Sequence, residues 1–498
     1  MSSVTPSERL LQRLCNHSFL RLWSYANLYR DQGRRIKASG EKTGDGDELC
    51  DLLVVFQEHI IIFSDKECVF PNSGNLDTDW CRWYSRTIKK SAQQIWGAER
   101  WIKQHPDRIF LDRTCTKPFP LELPDPSKAR IHRVLVAHGV ATRCAYELGG
   151  SGSLMIHSDL IGSVHCTPRS EGGKPFAVGQ VDPVKGFLHI LDDTTLEIVL
   201  TTLDTISDFV AYLTKKEKFL TSGIEVFVPG EEDLLAFYLT KTNKQKEHDF
   251  ILAGKYNALV LEEGLWQDFI CNPQRRIQMG ENEVSYIWDR LIERFIEHAL
   301  AGTQYYTTDA SLAQQDKLLQ FLAREPRTRR RMLAKSLLEV VKRPTKLREA
   351  RVMAPSNDGD PFYVFLTLLQ PYGIAEAQYR EVRRNLLVVY CKVAKLRFPE
   401  AQHIVGIATE PDIGDYKSED TVYYDATDWT SEDREEAESL QKDIGVLQEI
   451  SPMHTHTVYE YRPRKKALIR QNNHSNKPGA NDLCSCGSGR KYKVCCGK

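Results

Sequence analysis

Four of the 13 cysteines in this 498-residue chain, Cys484, Cys486, Cys495 and Cys496, crowd into its last fifteen positions, as Cys-Ser-Cys, Gly-Ser-Gly, Lys-Tyr-Lys and Cys-Cys. A segment of that length has too few apolar residues to bury a core of its own. Four thiolates in tetrahedral array around one structural Zn²⁺ supply what is missing, because metal binding then provides the folding free energy, on the order of 10 kcal/mol in small finger peptides. Gly487 and Gly489 allow a sharp turn between the two ligand pairs, and Lys491 and Lys493 offset the thiolate charge.

A second set of reactive side chains lies far upstream. The stretch Glu48-Leu-Cys-Asp51-Leu-Leu-Val-Val-Phe56, then Gln-Glu-His, then Ile60-Ile-Ile-Phe63-Ser64-Asp65-Lys66-Glu67, reads as a buried antiparallel hairpin. Pairing of Phe56 with His59 or Ile61 puts Asp51, Ser64 and Lys66 on one face. A shift by one residue instead groups Asp51 with Asp65 and Glu67. In either register an acid at one strand end meets charged groups at the other. A carboxylate pair beside a lysine suits metal-assisted phosphodiester hydrolysis, with the acids holding Mg²⁺ and the lysine positioning or activating water. Asp51 with Asp65 or Glu48 would hold the ion, and Lys66 would assist the attack.

A helix packed on the hairpin must hold these side chains in place, and the next apolar segment supplies one. In Trp80–Gln104, Tyr84, Ile88, Ala92, Ile95, Ala98 and Ile102 share one helical face. Arg82, Arg86, Lys89, Gln93 and Arg100 fall on the other, a row suited to backbone phosphates.

These residues carry two resemblances. The tail resembles the SEC-C motif found at the C-terminus of the SecA translocase and on many unrelated bacterial proteins, which implies zinc binding and a protein partner. The hairpin resembles the PD-(D/E)xK nuclease superfamily, whose site is an Asp on one strand and a (D/E)-x-K on the next. Asp51 matches the first acid and Lys66 the lysine, while Ser64 stands where the family has a carboxylate. Several members carry a Gln-bearing helix after the hairpin, so Gln93 or Gln94 corresponds and DNA or RNA is the implied partner. The body as a whole resembles uncharacterised bacterial proteins with a SEC-C tail.

The remainder is organised by the same logic. The expected architecture is multidomain, mixed α/β (α+β): a restriction-endonuclease-like core over 1–125, a β-rich region over 126–250, a helical then α/β domain over 251–460, a basic linker over 461–477 and the zinc motif over 478–498. Gly149–Ser153 lacks the Lys-Ser/Thr ending of a phosphate loop and reads as a hairpin turn. His189, Asp192 and Asp193 read as structural, and His454 and His456 as exposed. Arg324–Arg351 is the largest cationic block; a solvated helix face is its default reading, and it is also the best candidate for a nucleic-acid or acidic-protein contact. Glu410, Glu419 and Asp420 sit at expected strand ends.

Composition bounds the rest. Apolar residues at 41% and charged residues at 27% describe an ordinary globular protein, and 67 basic against 67 acidic side chains give no net charge to select a partner. No apolar run reaches membrane-spanning length, and no signal segment precedes the first helix, so the expected location is the cytoplasm. The other cysteines are scattered singly and read as small buried hydrophobes.

Overall fold

The computed structural model describes all residues except 1–4, 33–34, 37–41, 253, 255, 302–311, 343–346, 412–417, 449–482, 484–489, 492–493 and 496–498. The chain is mixed α/β and divides into two compact units: residues 1–276 with 460–498, and residues 277–459. No helix among the described residues is long and apolar enough to cross a membrane.

The first unit begins with α1 (Pro6–Phe19), started by a capping box in which Thr5 Oγ1 accepts from the Glu8 N–H (3.2 Å) and Glu8 Oε2 accepts from the Thr5 N–H (2.9 Å). Next come β1 (Ser24–Arg30), β2 (Asp47–Phe56) and β3 (His59–Glu67). The last two form the expected hairpin: Phe56 pairs with His59 and Leu52 with Phe63, and Gln57 takes a positive φ of 52° to close the turn. Both strands are apolar on both faces because both faces are covered. Leu53, Val55, Ile60 and Ile62 join one core with Ile88, Ala92 and Ile95. On the other side, Phe63 packs near Phe19 of α1.

Two helices come next, α2 (Leu76–Tyr84) and α3 (Lys90–Gln104), joined by a π-helical turn over Ser85–Lys89. Then come β4 (Ile109–Phe110), β5 (Arg130–His138), α4 (Ala141–Leu148), β6 (Met155–Ile161), β7 (Ala177–Gln180), β8 (His189–Asp192), α5 (Thr195–Thr202), α6 (Ile206–Leu220), β9 (Glu225–Val228), α7 (Glu231–Leu239), β10 (Ala258–Val260) and α8 (Leu265–Ile270). One sheet runs β8-β5-β3-β2-β1-β4, with β3, β5 and β8 mutually parallel; a smaller one runs β10-β9-β6-β7. The pairing of β3 with β5 crosses the 125/126 division drawn from sequence, so strands from both sides of it share a sheet. Gly149–Ser153 links helix α4 to strand β6 rather than turning a hairpin, with positive φ at Gly149, Gly150 and Gly152. The local sequence is turn-like in either role, and what differs is the short helix before it, where a hairpin would need a strand.

After α9 (Pro273–Asn282), the second unit contains α10 (Tyr286–Ala301), α11 (Leu312–Ala323), α12 (Arg327–Val341), β11 (Arg348–Met353), β12 (Phe362–Leu368), α13 (Glu376–Arg397), β13 (His403–Thr409), β14 (Glu419–Asp425) and α14 (Ser431–Ile444). Its sheet runs β11-β12-β13-β14 with a core of Val364, Leu366, Leu387, Cys391 and Ile404.

Candidate functional site

The second hairpin strand, β3, and its parallel neighbours β5 and β8 bring their carboxyl ends together, the edge where parallel strands usually place chemistry. The register is the one that pairs Phe56 with His59. At the end of that ladder the Asp51 side chain takes over the role of a backbone acceptor: its Oδ2 receives the Asp65 N–H at 2.6 Å. Asp51 is buried, and burial is the largest influence on its carboxyl, raising it. The Asp65 N–H opposes that, and the carboxylates of Glu48, Asp65 and Glu8 add to it, leaving the group pushed up to about 8. Glu48 is itself exposed. Nothing in the sequence signals that Glu8 acts on Asp51. Thr-Pro-Ser-Glu is legible only as a capping box, which marks a helix start rather than chemistry.

Asp65 is drawn elsewhere. Its side chain is fully buried, with Oδ1 3.2 Å from Nε2 of His138 at the end of β5. The other ring nitrogen of His138 meets Asp193 Oδ1 at 2.9 Å, and Asp193 Oδ2 accepts the N–H of Gly139 at 2.9 Å where the chain enters α4. Burial alone would lower the His138 imidazole, but the hydrogen bond to Asp193 and the close Asp65 carboxylate outweigh it and push the group up to about 10. The result is a carboxylate–imidazolium–carboxylate chain across three strand ends. His138 has no signal in the sequence because its partners are joined to it only through parallel pairing. Asp193, which reads as structural from sequence, is the outer member of this chain.

Ser64, one residue before Asp65, faces α3, where its hydroxyl meets Gln94 Oε1 at 3.4 Å. Strand alternation sends Lys66 to the same side as Ser64 and Asp65 to the opposite side, where Asp65 helps raise the buried Cys15 thiol of α1. Lys66 is half-buried and makes no ion pair among the described residues. The structure thus brings Asp51 and Asp65 together, leaves Glu48 near Asp51 as a charge, and sets Gln94 beside Ser64. It does not bring Lys66 into a bond with either aspartate. Arg82, Arg86, Lys89 and Gln93 are exposed, and the opposite face is buried from Tyr84 to Ile102 as expected. Among the described residues no three metal-ligating side chains converge on one point.

The Arg324–Arg351 block has a different fate from a solvated face. Arg327, Arg329, Arg330 and Arg331 are buried. Arg327 and Arg330 clamp Asp289 from either side, each at 2.7 Å, Arg330 also donates to the Glu325 carbonyl at 2.8 Å, and Arg331 reaches Asn282 at 3.0 Å. The acids near the strand ends of this unit are likewise structural: Asp420 pairs with Arg380 and Arg383, Glu410 with Arg383, and Glu419 with Arg294.

At the C-terminus, Cys484, Cys486 and Cys496 lie outside the described residues, as do His454, His456 and the 461–477 linker. Cys495 is half-buried. Leu483 and Lys491 form an antiparallel bridge, and Val494 N–H returns to the Lys491 carbonyl at 3.0 Å. The chain therefore reverses direction between Leu483 and Lys491, and four cysteines are a donor set of the kind that fits zinc. The SEC-C motif family matches residues 481–498. The tail is a SEC-C motif.

The SecA relatives match through this region. The protein translocase subunit SecA of Halothermothrix orenii is 57% identical over 37 residues, 7% of this chain and 4% of that one. SecA 1 of Chlorobium chlorochromatii is 77% identical over 22 residues, 4% of this chain and 2% of the relative. The uncharacterized protein YecA of Escherichia coli is 32% identical over 59 residues, 12% of this chain and 26% of that one. The chain spans at most about a quarter of these relatives. No solved structure matches.

Proposed function

We propose that the first unit is a nuclease-like domain whose phosphodiester-cleaving centre is built on Asp51, and that the SEC-C tail, holding zinc through Cys484, Cys486, Cys495 and Cys496, is its interaction handle. The observation that carries the first part is the setting of Asp51. It is a buried carboxylate just beyond the end of the hairpin ladder, the charges that act on it most come from other acids, and a basic, Gln-bearing helix meets the neighbouring strand at Ser64. Carboxylates of this type suit Mg²⁺, which is usually held by one or two of them while water and substrate phosphate complete its shell. When bound, the ion would polarise the phosphate and lower the pKa of an attacking water. Asp51 and Glu48 are the acids free for that role, since Asp65 is committed to His138 and serves to position the strand end. Arg82, Arg86 and Lys89 would hold the nucleic-acid backbone, and Lys66 would orient water.

The test is Mg²⁺-dependent cleavage of DNA and RNA by the wild type, by Asp51→Ala and by Lys66→Ala. Cleavage that falls by about 10²-fold or more in Asp51→Ala supports the centre; equal activity in all three overturns it. Metal analysis of the full chain before and after Cys484→Ser plus Cys486→Ser checks the tail, with loss of about one zinc per chain expected.

A second reading is a non-catalytic adaptor that recruits a protein or nucleic acid through the tail and the basic helix. It is favoured by the ion pairing that occupies Asp65, and it expects nucleic-acid binding without cleavage.

A further inference from the structure

Two cysteines that stand 85 residues apart in the chain, Cys81 and Cys166, meet where α2 packs on the turn after β6. That turn, Gly162–Cys166, is a short stretch of 3-10 helix. It is held to α2 at three points. Trp80 Nε1 donates to the His165 carbonyl at 2.7 Å, the Tyr84 ring stacks on the His165 imidazole with 4.8 Å between centroids, and the Cys166 thiol faces the Cys81 carbonyl at 4.0 Å. His165 is buried and fixed through both ring nitrogens: Nδ1 meets the Gly162 carbonyl at 2.8 Å, and Nε2 accepts the N–H of Gly179 in β7 at 3.0 Å. The residue that follows it is thereby held against the helix.

Both cysteines are half-buried, so a small reagent can reach them. The Cys166 thiol lies within hydrogen-bonding reach of the Cys81 thiol and of the Ser85 hydroxyl, one turn further along. Both sulfurs also act on the Tyr84 phenol, which burial raises first and the two thiols raise further. For Cys166, burial and then the neighbouring Cys81 push the thiol up to about 12, against the pull of Ser85 and Lys89. Cys166 therefore stays protonated at neutral pH and leaves the first attack to Cys81.

From this juxtaposition we propose that Cys81 and Cys166 are a reversible dithiol–disulfide pair, a modification site for small disulfides of the glutathione class. The Cys81 thiolate attacks one sulfur of the small disulfide. Its S–S bond breaks, a mixed disulfide forms on Cys81, and the released thiolate takes up the proton that Cys81 gave up. Cys166 then attacks the Cys81 sulfur, and the second small thiol leaves with the Cys166 proton. Two protein thiols are oxidised and one small disulfide is reduced to two thiols. The internal bond is the product because displacement by a neighbouring thiol outruns attack by a free one. It fastens α2 to the turn just before Arg82, where the exposed cationic row begins, and closes an 85-residue loop, which restricts the unfolded chain.

The experiment incubates the full chain, supplied with zinc so that the tail thiols are engaged, with oxidised glutathione at mildly alkaline pH. Alkylation and peptide mass spectrometry without reduction follow. A cross-link between tryptic peptides 67–82 and 144–169 is expected, and dithiothreitol should restore both thiols. Cys68 and Cys144 share those peptides, so Cys68→Ser and Cys144→Ser should keep the cross-link while Cys81→Ser and Cys166→Ser abolish it. Cys166→Ser should trap one glutathione on Cys81, and Cys81→Ser should leave Cys166 at least about tenfold less modified. The oxidised wild type should melt at least about 3 °C above the reduced form, a shift absent from both single variants. No cross-link in the folded wild type, a cross-link that survives Cys81→Ser or Cys166→Ser, or one that forms only once urea has unfolded the chain would overturn the proposal.

Discussion

Two stretches of this chain look alike as strings of cationic residues and end in opposite environments. On α2, the π-helical turn and α3, Arg82, Arg86 and Lys89 are exposed, and no acid pairs with them among the described residues. On α12, Arg327, Arg329, Arg330 and Arg331 are buried, and their guanidinium groups are spent on Asp289, Asn282 and backbone carbonyls. Spacing explains the contrast. In the first stretch the cations recur three or four residues apart and so share one face, leaving the other for Tyr84, Ile88 and Ala92. In the second, three arginines run consecutively and face different directions, so they cannot all lie on a solvated face. A count of basic residues therefore says little about nucleic-acid contact; the period of the row, and the presence of an acid within reach, say more.

The contrast is tested most severely at Asp289. Asp289→Ala leaves Arg327 and Arg330 facing each other without their shared carboxylate, and the second unit should lose about 3–5 kcal/mol in denaturant unfolding. A loss below about 1 kcal/mol would mean that these arginines are solvated after all. The exposed row should behave in the opposite way. Arg82→Glu with Arg86→Glu and Lys89→Glu should leave unfolding within about 0.5 kcal/mol per site. The same triple variant should weaken binding of duplex DNA or RNA at low salt by at least about tenfold and flatten its salt dependence. Unchanged affinity would remove this face from consideration.

A third cation extends the contrast to pH. The imidazole of His138 is raised in the folded protein, to about 10, by Asp193 and Asp65. The folded form therefore holds a proton that the unfolded chain releases near its ordinary value. That stabilisation is complete below about pH 6.5 and is lost as pH climbs toward 10. Unfolding of the first unit, tracked by its tryptophan signal, should become easier over that window in the wild type and not in His138→Gln. The smallest effect is expected at the helix–hairpin contact: Gln94→Ala removes one long 3.4 Å bond to Ser64 and should change stability by no more than about 1 kcal/mol.

Legibility in the sequence divides in the same way, between local and distant causes. The hairpin itself, though not which of two registers it takes, and the buried face of Tyr84–Ile102 depend on residues close together in the chain, and their spacing states them. The partners of Asp65 do not: His138 and Asp193 reach it only because β5 and β8 run parallel to β3, a pairing with no local signature. Alternation puts Lys66 and Asp65 on opposite sides of their strand, but spacing could not show which helix covers each side.

The parallel arrangement of β3, β5 and β8 also sets an order of events during synthesis. The hairpin β2–β3 forms from neighbouring residues and can close early, but the outer edge of β3, with Ile60, Ile62 and Phe63, stays unpaired until Arg130–His138 has emerged. The edge of β5 in turn waits for His189–Asp192. A chain interrupted near residue 125 would present a long apolar strand edge, a template for association with other such chains, so the nascent protein is most exposed to aggregation between the completion of its hairpin and the arrival of β5.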